Sequence, residues 1–323
     1  MLGNGFSQPT SHFFTPLSHL ITSFLLLLFF LSPANSATSV DPTSIGLGAR
    51  SISLGRVAVA APGDLNASFI NPANSVSLES WGLTSMYTSL LEGDLNYTML
   101  GGATKAFDGI VGISYLGGGA TGISATTLDA NGRVAPTGTN FDYSNSTVSL
   151  IYGKALQPKL SAGGTIKLIS KGFSGQSNGS GVSLDTGLLY SVQNNLSAGL
   201  LVQNIASTGI NWATGKNEAP QMLIKGGINY QLRNDISLLS DIDILPFVLR
   251  GGIEWKPLSM LSVRSGIENL SSGMNISFGL GLAYLGIKFD YAYLKDGTLD
   301  TNSTHFFSFS FLPATASQTL KAR

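Results

Sequence analysis

From Trp81 to the end, the chain repeats one pattern: about ten residues of alternating polarity, then a turn. Between residues 221 and 232, Met222, Ile224, Ile228 and Tyr230 share one parity, while Lys225, Gly227, Asn229 and Gln231 share the other. Met274, Ile276, Phe278, Leu280, Leu282 and Tyr284 alternate in the same way with Asn275, Ser277, Gly279, Gly281 and Ala283. A period of two belongs to a strand, because successive side chains point to opposite faces of a sheet. Fourteen such segments begin near Trp81, Asn96, Gly109, Asn145, Lys159, Gly181, Asn195, Gln221, Ile236, Phe247, Met260, Met274, Ile287 and Thr304. In the segment from Leu160 the alternation fails at Ile169, which predicts a strand running out toward Gly172.

The connections are sorted by length. The even-numbered ones are tight: Phe107-Asp108, Gln157-Pro158, Gln193-Asn194, Arg233-Asn234, Pro257-Leu258-Ser259 and Leu285-Gly286. The odd-numbered ones are mostly longer, covering 118–144, 172–180, 206–220 and 296–303, with a collapse at Pro246. Alternating tight turns and long loops, with an even strand count, is the pattern of an outer-membrane barrel whose termini both face the periplasm. A soluble sandwich has no reason to sort its loops by parity and needs a polar outer surface. The predicted fold class is therefore all-β, a 14-stranded antiparallel transmembrane β-barrel spanning residues 81–312.

Composition agrees. Only 11% of residues are charged, against about 25% in an average soluble domain. Charge is kept to one parity: Asp185, Lys225, Asp241, Asp243, Arg250, Glu254, Arg264, Glu268, Lys288 and Asp290 all lie opposite the apolar rows. They are expected to line the lumen, since Arg or Lys facing lipid costs about 2–4 kcal/mol at the midplane. Arg250 and Glu254 on one segment, then Arg264 and Glu268 on the next, suit cross-strand ion pairs. Trp81, Tyr190, Tyr230, Trp255, Tyr284, Phe309 and Phe311 fall at strand ends, where interfacial aromatic girdles sit.

Residues 20–31 form a short apolar run followed by small residues from Pro33 to Ala37. The run is too short to cross a bilayer and has the length of a signal-peptide core, although no Lys or Arg precedes Arg50. Residues 1–37 are thus expected to be a cleaved signal peptide and 313–323 a periplasmic tail.

Residues 38–80 do not alternate. They carry Gly46, Gly48-Ala49-Arg50, Leu54-Gly55 and Asn71-Pro72-Ala73, among apolar residues such as Ile52, Val57 and Phe69. In that order, these motifs resemble the amino-terminal plug of the bacterial outer-membrane family that contains the FadL-type transporters of hydrophobic compounds and the PorV/PorQ proteins. Gly251-Gly252-Ile253-Glu254-Trp255, Val263-Arg264-Ser265-Gly266 and Phe289-Asp290-Tyr291-Ala292-Tyr293 resemble the final strands of the PorV branch. The resemblance implies a luminal plug over 38–80. It also implies a porin-like protein in outer-membrane lipid that either admits hydrophobic small molecules or acts as a secretion partner binding cargo proteins. A structural outer-membrane protein is the third reading. Arg56 stands where the family has a glycine, Pro62-Gly63-Asp64 where it has paired aspartates, and Phe69-Ile70 replaces a more polar aromatic pair. No calcium-like or ligand site is carried over. Independently of the resemblance, a lumen of fourteen strands is too wide for wall side chains to fill, so an apolar segment before it has a place to go.

Other chemistry is thinly provided for. With no cysteine there is no thiol catalysis, disulfide or Cys-ligated metal. Net charge zero gives no footprint for nucleic acid. The one histidine after the leader, His305, shares parity with Phe307 and Phe309, and so faces lipid rather than a nucleophile. Asp241-Ile242-Asp243 is the nearest metal candidate and reads more simply as two luminal acids. Gly117-Gly118-Gly119 lacks the helix and Lys of a phosphate loop. The expectation is no enzyme, cofactor or metal.

Overall fold

The computed structural model describes residues 42–90, 93–244, 246–270, 273–297 and 303–313. The expected signal peptide and the tail after Pro313 lie outside the described residues.

Fourteen long strands succeed one another: β1 (Trp81–Leu90), β2 (Leu95–Ala106), β3 (Gly109–Leu128), β4 (Val134–Gln157), β5 (Leu160–Phe173), β6 (Ser177–Gln193) and β7 (Leu196–Ser207), then β8 (Leu223–Arg233), β9 (Ile236–Asp243), β10 (Val248–Leu258), β11 (Leu261–Leu270), β12 (Gly273–Tyr284), β13 (Ile287–Lys295) and β14 (Ser303–Phe311). Each pairs antiparallel with its neighbour in sequence. β1 then closes on β14, with Tyr87 opposite Phe307. The sheet is a closed 14-stranded meander barrel, the fold class expected from the alternation, and closure removes the edges that an open sheet would leave unpaired.

At one end of the barrel the strands are joined by six two-residue turns, among them Phe107-Asp108 and Leu285-Gly286. Phe107, Asp108 and Leu285 all have positive φ (51°, 56° and 47°), the handedness that lets a two-residue hairpin match strand twist. At the other end the expected loop over 118–144 is corrected. β3 runs to Leu128 and β4 starts at Val134, leaving only 129–133 as the connection. The two strands project as a ribbon whose register continues through bulges to Leu128 opposite Val134. Its residues, such as Thr126, Thr127 and Thr137, favour strand, yet both faces meet water, so apolar alternation stops before the strand does. β5 likewise continues past Ile169 to Phe173, because the inner face there is buried and Ile169 takes an inward position that breaks the polar parity without ending the strand. Residues 208–222 form a true long loop, containing a short hairpin of Ile210–Trp212 with Asn217–Glu218.

The two faces of the wall are chemically distinct. Outward side chains are large and apolar, as with Leu83 and Tyr87 on β1, Phe278, Leu280 and Leu282 on β12, and Phe307 and Phe309 on β14. Inward neighbours are small or polar, as with Thr84, Thr88, Ser277, Ser308 and Ser310, all buried. His305 is on the exposed parity, bonded to the Tyr291 hydroxyl at 2.8 Å.

Residues 42–80 make short helical turns: α1 (Ala49–Ser53), α2 (Leu65–Ser68) and two 3-10 turns, Pro42–Ile45 and Pro72–Ser77. Caps explain where the later ones start. Asp64 accepts from Asn66 N to begin α2, and Asn71 accepts from Ala73 N ahead of Pro72, a residue suited to the first helical position. Ile52, Leu65 and Phe69 pack in one buried cluster with Met86, Met99 and Phe306 of the strands, while Leu54, Val57 and Ala58 join Leu239 in another.

Candidate luminal site

Three groups of inward residues meet the N-terminal segment or the space above it. On the β8–β13 side the contact is ionic. Arg50 makes a two-pronged pair with Glu254, Nε to Oε1 and Nη2 to Oε2, both at 2.9 Å, and its Nη1 reaches Asp64 at 3.2 Å. Glu254 is also held by Arg264 at 2.6 Å, and Arg264 by Asp290 at 2.7 Å, with Lys288 on Asp290 at 3.2 Å. A second string starts at Arg56. It donates to Glu268 at 2.9 Å, Glu268 accepts from Arg250 at 2.8 Å, and Arg250 meets Asp243 at 2.7 Å. Lys225 lies 3.7 Å from Asp243. Asp241 accepts backbone N–H bonds from Ala58 and Val59 at 2.7 and 3.0 Å.

Burial alone would weaken the charge on Arg50, but the Glu254 and Asp64 carboxylates more than offset it and hold its proton more tightly than a free guanidinium does. Burial would likewise raise the Asp64 carboxyl. The positive charges of Lys288 and Arg50, with the Asn66 N–H, instead bring it below the usual carboxylate value.

Of the ten charged positions predicted to line the lumen, Asp185, Asp241, Asp243, Glu254, Arg264, Glu268 and Asp290 are buried, while Lys225, Arg250 and Lys288 are partly so. Nine of them stand in or beside the two strings. Asp185 is apart, on β6, where it pairs with the fully buried Lys167 at 3.0 Å and accepts from Asn204 N at 2.8 Å. Three β7 residues oppose Asp185 alone, and Asn204 takes a positive φ of 55° at that bulge.

On the β4–β6 side the contact is close and uncharged. Gly153, Gly163 and Gly187 lie in direct register across three strands. A Cβ at Gly187 would strike Asn71 Oδ1, one at Gly163 would strike Pro72, and one at Gly153 would strike Ser75 Oγ and Pro72 O. The Asn71 amide uses this proximity to donate to Val59 O at 2.7 Å and to Leu188 O at 3.3 Å. A comparable glycine pair, Gly252 and Gly266, lets Leu54 and Gly55 approach β10 and β11.

The other motif residues of the segment are also placed by contact. Gly46 and Gly48 have φ of 92° and 84°, which an L side chain rarely adopts. Gly48 N points to Met86 Sδ at 3.1 Å and Ala49 N to Ser308 Oγ at 2.7 Å. Ala73 is fully buried beside Ala60 and Leu189.

Sequence reasoning missed several participants. Asp64 and Arg56 were departures from a family pattern, yet each carries an ion pair. Asn74 bridges Ala58 O and Ala61 N inside the segment. The glycine row was present as inner-parity glycines, but only register shows that they stand side by side.

Toward the long-loop end, the inner face is aromatic. Phe141 and Tyr143 of β4 stand 6.0 and 5.2 Å from Phe173 of β5, and Phe173 stacks on Trp212 at 5.8 Å. Tyr97 is buried nearby. Among the described residues no group of His, Cys, Asp or Glu could hold a metal ion.

No family model matches the chain, and no curated protein does. Solved structures do. The toluene transporter TbuX of Ralstonia pickettii aligns with a TM-score of 0.64 at 12% identity, over 83% of this chain and 99% of that one. The toluene transporter TodX of Pseudomonas putida aligns with a TM-score of 0.60 at 13% identity, over 85% and 98%. A FadL homologue of Pseudomonas aeruginosa gives 0.52 at 11% identity, over 85% and 99%. At such identities the likeness is one of fold.

Proposed function

We propose that the chain is an outer-membrane channel for hydrophobic small molecules, plugged by residues 38–80 and exported by a cleaved signal peptide, with both termini in the periplasm. The observation that carries this reading is an apolar outer wall together with the buried contacts that residues 46–77 make with inward side chains of the strands, which support a plug. A closed barrel satisfies every backbone group, and its exposed Leu, Ile and Phe rows are costly in water but not in lipid. Trp81, Tyr190, Tyr230, Trp255, Tyr284 and Phe309 are exposed and suit the girdles at either interface.

The aromatic inner face near the long loops favours small apolar molecules over the protein-handling role, which would call for an external apolar surface rather than an internal one. The fold likeness to toluene transporters supports the same choice. The ten lumen charges act as structural pairing within the wall and, at Glu254, Glu268 and Asp241, between wall and plug, rather than as a selectivity ring. The test is uptake of labelled toluene by Gram-negative cells carrying the protein in their outer membrane. Uptake faster than in cells with the empty vector is expected; equal rates, with the protein present as a heat-modifiable outer-membrane band, would contradict the proposal.

A further inference from the structure

The channel reading leaves the permeant's chemistry open beyond its being apolar, and the inner face of β4 narrows it. Below the aromatic row, where Tyr143 pairs with Phe173, the next inward residue of β4 is Asn145, opposite Lys171, and the next is Thr147, opposite Ile169. At about 3.4 Å per residue these positions descend in steps of about 7 Å from the rings toward Gly153, where the N-terminal segment is seated. Asn145 is 5% exposed and Thr147 1%, yet Asn145 Oδ1 and Thr147 Oγ1 have no hydrogen-bond partner. Asn145 hydrogen-bonds through its side chain to both Tyr97 and Tyr143, which fixes its amide among the rings and leaves Oδ1 as its unpartnered end.

A buried polar atom without a partner is costly, of the order of 1–3 kcal/mol, and two of them on successive rungs beneath an aromatic rim call for an explanation. Packing does not supply it at Thr147, where Val would fill the space without the penalty, and the bonds of Asn145 to the two tyrosines still leave its Oδ1 over. A ligand does. An aromatic body that slides past Tyr143 and Phe173 with a hydroxyl leading would donate to Asn145 Oδ1 and then reach Thr147 Oγ1.

We propose that the permeant is an aromatic molecule bearing one hydrogen-bond donor, the phenol class, and that Asn145 and Thr147 select it over the hydrocarbon of the same shape. This rests on the channel reading and sharpens its substrate. A site built to hydrogen-bond a hydroxyl discriminates against the analogue that lacks it, because its own polar atoms are then left unpaired.

Phenol and toluene differ by hydroxyl for methyl at nearly constant shape, so their fluorinated forms make a clean pair of probes. Binding of para-fluorophenol and para-fluorotoluene to the full chain in lipid nanodiscs is followed by fluorine NMR, with empty nanodiscs as the blank. The phenol is expected to bind tighter by about tenfold or more. Asn145→Leu should bring the ratio to about one, and Thr147→Val, a change that suits a strand, should lower it several-fold. Equal or tighter binding of the toluene, or a ratio that persists in Asn145→Leu, would overturn the proposal while leaving the channel reading intact. Binding of neither probe would overturn both.

Discussion

Residues 50–64 meet β10 and β11 through two arginines set against two buried glutamates, whereas residues 66–77 meet β4–β6 through a proline, an asparagine and a row of glycines. The difference lies in what each contact demands of its surroundings. On the ionic side the wall is nearly self-sufficient. Glu254 keeps Arg264, and Glu268 keeps Arg250, whether or not Arg50 and Arg56 are present. A buried acid deprived of all its partners is expensive, so a network that retains a partner makes the segment's arrival and departure less so. On the glycine side there is no charge to strand, and the fit depends on shape. The missing side chains of the wall are the space that Asn71 and Pro72 fill. One side is tolerant of distance and sensitive to charge, and the other is the reverse.

Because the chain has no cysteine, a single Ser53→Cys or Ser75→Cys reports each side separately by its rate of maleimide labelling. Both serines are buried, the first in α1 above Gly279 and the second above Gly153. The largest effect is expected from Glu254→Ala, which removes the shared partner of Arg50 and Arg264. It should destabilise the barrel by about 3–5 kcal/mol in denaturant titrations and speed labelling at position 53 far more than at 75. Gly187→Val comes next. Strand propensity alone says that valine should help β6, but its Cβ collides with Asn71, and overpacking of this kind costs about 1–3 kcal/mol. Labelling at 75 should rise while that at 53 holds. Equal responses at both positions to either change would erase the distinction between the sides.

Arg56→Gly should have a smaller net effect, under about 1 kcal/mol in the same titrations. Arg56 sits at φ 64°, so glycine relieves backbone strain while the Glu268 bond is lost, and Glu268 still keeps Arg250 and Asn275. The smallest effect over the ordinary range is that of pH. Asp64 has its folded value depressed below the ordinary 3.8, so its contribution is complete above that value and lost as pH falls through the lower folded one. Arg50 stays charged throughout. The Asp64 contribution to stability in the same denaturant titrations should therefore be flat between about pH 5 and 8 and fall only below about pH 4.

The contrast also separates what sequence could reveal from what it could not. Strand number and the tight turns were legible because alternation and turn chemistry are local: Phe107-Asp108 and Leu285-Gly286 stand where the pattern breaks. The β3–β4 ribbon was not, since a strand wet on both faces loses its apolar signal while keeping its hydrogen bonds. Inner-parity charge was readable, but its partners were not. Arg50 with Glu254 spans 204 positions, and nothing nearby in sequence announces such a pair. The glycine row is the sharpest case. Gly153, Gly163 and Gly187 are unremarked one by one, and become a cradle only when register sets them abreast. Arg56 and Asp64 show the converse, where departures from a family pattern turned out to be ties of this chain's own making.

The central claim is that the N-terminal segment closes an otherwise open lumen. Single-channel conductance in planar bilayers tests it most directly, comparing the full chain with a deletion of residues 46–73 that retains heat-modifiable mobility. The full chain should be nearly silent and the deletion should pass a steady ohmic current. Equal conductance in the two would contradict the account.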